Sequence, residues 1–154
     1  MSESARIADQ HRRAFDGGAW HGPSVFEALA GVSATRAAAK PIQGAHSIWE
    51  LVLHIRAWEG AVHGRVKGSP VSLSPEQDWP RVKDKSPAAW KRAQAGLREA
   101  HDALNRDIAG LPDERLEERI PGSETTLYIL LHGVVQHGLY HAGQIAILKK
   151  GRAT

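Results

Sequence analysis

From Leu127 to Leu148 a stripe recurs at every third or fourth residue, apolar except for two histidines and a glutamine: Leu127, Leu130, Val134, His137, His141, Gln144 and Leu148. That 3, 4, 3, 4 interval marks one face of an α-helix packed against a partner helix. It excludes a period-two strand here and predicts one long helix. Two of its seam positions are histidines four residues apart, so both imidazoles leave one face, one turn apart. An imidazole is a poor filler for an apolar seam unless its lone pair is wanted there, as it is by a divalent transition metal. Nine histidines in 154 residues make such a pair unremarkable by itself. The competing reading is a pair of hydrogen-bonded core histidines.

A catalytic zinc takes three protein ligands and keeps one position open, so the pair needs a third partner. Residues 47–67, SIWELVLHIRAWEGAVHGRVK, supply one. Ser47 and Glu50 form the S-x-x-E capping box that satisfies the orphan amides of a helix start. Leu51, His54, Trp58 and Ala61 then keep a 3, 4, 3 rhythm, with Val52, Ile55, Val62 and Val66 as a second apolar row. So wide an apolar face predicts a largely buried helix. If it packs beside the C-terminal helix, His54, His137 and His141 converge.

The remaining pattern is helical too. A first helix spans about Ser4 to Phe15 and breaks at Asp16-Gly17-Gly18. A short piece follows Pro23-Ser24, and an alanine-rich turn covers Thr35 to Lys40. Residues 71–84 read as a loop, with Pro75, Pro80 and little periodicity. Ser86-Pro87 opens a helix to about Ala109, with Trp90, Ala93, Leu97, Ala100 or His101, Leu104 and Ile108 inward. The final helix is expected to be capped at Ser123 and closed by Gly151. No run alternates with period two, so the fold class is all-α, and four long helices suggest a four-helix bundle occupying residues 1–154 as one domain.

Composition narrows the function. A chain of 154 residues with 42% hydrophobic and 24% charged residues suits one globular domain. There are no cysteines, so metal ligands must be N and O donors and no thiolate nucleophile is available. The net charge of +3 comes from basic residues scattered among acids, with no basic groove or recognition motif, which argues against a nucleic-acid partner. Lys149, Lys150 and Arg152 fit the complement of a helix C-terminus. No apolar leader or membrane span is read; the expectation is a cytoplasmic protein without a membrane partner.

The strings SIWELVLHIRAWE and LHGVVQHGLYHAGQIAILKK, with AWHGPSVFEAL near the N-terminus, strongly resemble the DinB-like (DNA-damage-inducible, YfiT-like) family along nearly the whole chain. The resemblance implies an up-down-down-up four-helix bundle, often a homodimer, with three histidines holding one divalent transition metal per chain. Carried onto this sequence, the ligands are His54, His137 and His141, and the ion is zinc or nickel, with iron or manganese as alternatives. Some relatives are transferases that use low-molecular-weight thiols such as bacillithiol, mycothiol or glutathione.

Three neutral imidazoles would leave such an ion its full charge and an open position, suited to activating a water or a thiol. The functional expectation is therefore a thiol S-transferase or hydrolase acting on a small molecule. The alternative is a non-catalytic metal-binding stress-response or structural dimer. No catalytic acid or base is fixed by the sequence. Around the site, Glu50 and Gln144 are candidate supports for the ligands, Trp58 a candidate pocket wall, and His21 a candidate lining residue on a loop. Glu59 reads as a buried polar group or a similar support. Tyr140 is expected to face a neighbouring helix. His132 is rotated off the ligand face, and His11, His46, His63 and His101 read as structural.

Overall fold

A computed structural model describes residues 1–151; Arg152 of the C-terminal basic run lies outside them. Among the described residues the chain is all-helical, with no strand. The helices are α1 (Glu3–Asp16), α2 (Val25–Leu29), α3 (Ala34–Ala38), α4 (Ile48–Val66), α5 (Pro75–Asp78), α6 (Pro87–Ala109) and α7 (Leu127–Lys150). A 3-10 turn spans Asp113–Glu117. No helix among these residues is long and apolar enough to cross a membrane.

Most helix starts are written in the sequence. Ser47 Oγ accepts from the Glu50 amide while the Glu50 carboxylate accepts from the Ser47 amide, completing the capping box of α4. Ser86 caps α6, with Pro87 in the first turn where its missing N–H costs nothing. α2 begins just after Pro23-Ser24 as expected, with Ser24 and Glu27 forming a capping box. One start differs from expectation. The cap of α7 is Thr126, whose hydroxyl accepts from Ile129, and not Ser123. Ser123 instead accepts from the Thr125 amide in the preceding turn. The segment expected to be a loop holds α5, because Ser74 and Gln77 form a capping box around Pro75.

The four long helices pack side by side. α1 contacts α6 and α7, and α4 contacts the same two. Ser4 pairs with Asp113 just beyond α6, His11 with Asn105, and Asp16 with Arg98, so α1 runs against α6. Trp49 lies against Trp90 and His63 against Asp107, so α4 and α6 run the same way. On α7, Gly138 makes the close approach possible: a Cβ there would sit 3.0 Å from the Phe15 ring.

The apolar core divides into two clusters. One gathers Phe15, Trp49, Val52, Ile55, Leu97 and Ile145; the other gathers Ile7, Val62, Leu104, Ile108, Leu127 and Leu131. Each fully buried Leu or Ile contributes roughly 1.5–3 kcal/mol of transfer free energy. Between the clusters lies a polar layer of fully buried His11, Glu59 and His101. Inside α7 the buried stripe is Leu127, Leu131, Val134, Val135, Gly138, His141, Ala142, Ile145 and Leu148. It is rotated slightly from the stripe read in the sequence, so Leu130, His137 and Gln144 fall at its edge, half-buried. That rotation leaves His137 half-buried and not sealed in the core.

Candidate metal centre

Three imidazoles meet between α4 and α7. His137 Nε2 lies 3.0 Å from His54 Nε2 and 3.0 Å from His141 Nε2, and the ligand atoms of all three lie within 4.8 Å of one another. Their outer nitrogens explain why those atoms converge. His54 Nδ1–H donates to the Asp78 carbonyl at 2.8 Å, with Asp78 Oδ1 at 3.1 Å. His141 Nδ1–H donates to Gln144 Oε1 at 2.5 Å. The rings of His54 and His141 are thereby held in the tautomer that points an Nε2 lone pair inward, the arrangement that orients metal-ligating histidines, whereas His137 Nδ1 is buried without a hydrogen-bond partner.

One proton on His137 Nε2 cannot serve both neighbours, so without a cation lone pairs face each other at 3.0 Å. A tetrahedral ion with bonds of about 2.05 Å would set its nitrogens ~3.3 Å apart, a few tenths of an ångström from the observed spacing. The residues fit a divalent ion held by three N donors. Electrostatics agree. Burial, then the neighbouring imidazoles of His141 and His54, push His137 down to about 4. Burial also lowers His141, against the Gln144 hydrogen bond. Neutral rings at pH 7 keep their lone pairs for a metal.

The surroundings separate the candidate supports. Gln144 touches the triad directly through His141. The Trp58 ring lies 5.9 Å from that of His137, and its indole N–H donates to Asp78 Oδ1 at 2.7 Å; half-buried, it walls the site. Glu50 is engaged elsewhere, by the Ser47 cap and a 2.9 Å ion pair with Lys40. His21 is exposed on the loop after α1. Tyr140 is largely exposed, its ring edge against His141. His132 packs against Tyr128, off the site.

Sequence reasoning missed three residues. Trp79 stacks on His54 with centroids 3.9 Å apart and planes 5° from parallel, and His46 stacks on the other side of Trp79 at 3.6 Å. Asp78 holds His54. The signal was present in the Ser74-Pro75-Glu76-Gln77 cap that begins α5, but no periodicity says which way that short helix docks. A cavity of about 340 Å³ lies beside the triad, lined by Ile42, Ala45, His46, Leu51, Gln144 and Ile147 among others.

A family model of the DinB superfamily matches residues 20–145, well over half of the chain. The chain belongs to the DinB superfamily. No curated protein and no solved structure matches it. For this DinB-like chain the match takes in α2 to α6 and most of α7, and so all three histidines of the centre.

Proposed function

We propose that this DinB-superfamily protein binds one divalent transition-metal ion through His54, His137 and His141 and uses it as a metal-dependent enzyme. The reaction is transfer of a low-molecular-weight thiol to a small electrophile, or hydrolysis. The observation that carries the reading is the convergence of three Nε2 atoms at 3.0 Å spacings with two outer nitrogens tied down. When bound, the ion would lower the pKa of a water or thiol toward neutrality. The chain's own residues do the rest. Asp78 and Gln144 fix the ring orientations, Trp58 and Trp79 cover the histidines, and half-buried His137 marks the reachable edge. The adjoining cavity of about 340 Å³ has the size of a small-molecule pocket.

The helix directions support an up-down-down-up four-helix bundle: α1 runs against α6, α4 runs with α6, and Leu51 of α4 meets Gln144 and Leu148 near the far end of α7. Ile129, Tyr140 and Ile147 are exposed along α7, which supports a homodimer through that helix. The second reading, a non-catalytic metal-binding bundle, draws on the burial of His54 and His141.

The test loads wild type and His137→Ala with zinc or nickel, desalts them and measures metal per folded chain. The variant should hold about one ion fewer, the share of one three-ligand site. Equal metal in both proteins sinks the triad. Loaded wild type is then given glutathione, mycothiol or bacillithiol with an electrophilic acceptor, and separately ester substrates. Turnover lost in His137→Ala supports the enzyme, and a full metal complement without turnover favours the second reading.

A further inference from the structure

The polar layer between the two apolar clusters holds a second set of metal-ligating side chains that the triad does not use. His11 comes from α1, Glu59 from α4 and His101 from α6, each no more than 1% exposed. Their ligand atoms lie within 4.8 Å of one another. The outer sides of both imidazoles face polar groups. His11 Nδ1 lies 3.0 Å from Asn105 Oδ1, to which it donates. His101 Nε2 faces Asp16 Oδ2 at 3.8 Å, and Asp16 is itself paired with Arg98.

The inner sides all face one carboxylate. His11 Nε2 lies 3.3 and 3.0 Å from the two Glu59 oxygens, and His101 Nδ1 lies 3.7 Å from Glu59 Oε2. His101 Nδ1 is buried with no hydrogen-bond partner. An imidazole lone pair against a carboxylate is repulsive unless a cation lies between them. A proton on His11 Nε2 answers one of these contacts. It leaves His101 Nδ1 unpaired and most of the Glu59 lone pairs unused, a costly state for buried polar groups. One ion at the centre answers all three.

We propose that His11, Glu59 and His101 form a second site for a divalent transition-metal ion, bound through His11 Nε2, His101 Nδ1 and a Glu59 oxygen. Two imidazoles and one carboxylate suit zinc, iron or manganese, and helical bundles build such sites from inward side chains on facing helices. Three helices enclose the site completely, so its ion enters as the chain folds and exchanges slowly. The inference stands apart from the triad, because no residue is shared.

Cobalt(II) is the probe. His137→Ala, which breaks the triad, is refolded with cobalt(II), desalted and checked for helical content by circular dichroism. About one cobalt per chain should remain, and adding Glu59→Gln should remove at least nine-tenths of it. No retained cobalt in folded His137→Ala overturns the site, as does unchanged cobalt after Glu59→Gln. If the double variant does not fold, cobalt-edge anomalous diffraction from the refolded His137→Ala protein decides. A peak between His11, Glu59 and His101 supports the site, and density maps with none there overturn it.

Discussion

The two histidine clusters use the same residue type in opposite electrostatic settings. The triad at His54, His137 and His141 has imidazoles for neighbours, and burial outweighs the nearby Asp78 carboxylate to lower both His137 and His141. The layer at His11, Glu59 and His101 is more deeply buried, yet its carboxylate can compensate a positive charge. Burial alone therefore does not set the electrostatics of a histidine; what sits opposite the inward nitrogen does, another lone pair in the first cluster and a carboxylate oxygen in the second.

The largest effect should come from removing the compensating charge. In metal-free protein, Glu59→Ala leaves two buried imidazoles without their counter-ion and should cost about 3–5 kcal/mol, whereas His137→Ala, at a half-buried edge, should cost less than about 1 kcal/mol. Urea unfolding of both variants checks this, and equal costs would erase the contrast. The next effect sharpens the triad. Gln144→Ala removes the partner of His141 Nδ1 and should weaken zinc binding about 10–100-fold, measured by competition with a chelating dye. Glu50→Ala should leave zinc affinity unchanged, because Glu50 serves the cap and Lys40. A similar loss in both variants would mean that the Gln144 contact has no special role.

The most diagnostic effect is pH. His137 titrates at about 4 when folded against 6.5 as its reference value. Between those values the unfolded chain binds more protons, so metal-free stability is intact above 6.5 and falls as pH drops toward 4, by up to about 1.4 kcal/mol per pH unit. Glu59 is lowered from 4.5, so its stabilisation is present above that value and is lost below it. Urea midpoints across pH should thus show two windows. His137→Ala should flatten the upper one only, and a profile unchanged by that substitution would contradict the neutral-ring account.

Much of the candidate site was legible because the spacing of His137 and His141 lies within a single helix. His137 and His141 share a face at any rotation of α7, and the heptad rhythm puts His54 on the wide face of α4. Asp78, Trp79 and His46 were not legible, since they arrive by the docking of α5 and the loops around it, which carry no periodicity. The cluster at His11, Glu59 and His101 was read as separate polar residues, because its members come from three helices and lie 48 and 42 positions apart. The α7 cap was misplaced from Thr126 to Ser123 because both residues have a hydroxyl able to cap. Only the turn geometry, with Ser123 already engaged by the Thr125 amide, chooses between them.

The sequence by itself determined the four long helices, the caps of α4 and α6 and the shared face of His137 and His141, since these depend on side chains three or four residues apart. The tertiary structure decided the rotation and axial register of the helices against one another. Those depend on contacts such as Gly138 against Phe15, which no single helix contains. A rotation of one residue about α7 moves His137 from the closed seam to its open edge, and an axial shift of one turn would part it from His54. Packing of the two apolar clusters fixes both, and so sets which lone pairs face one another.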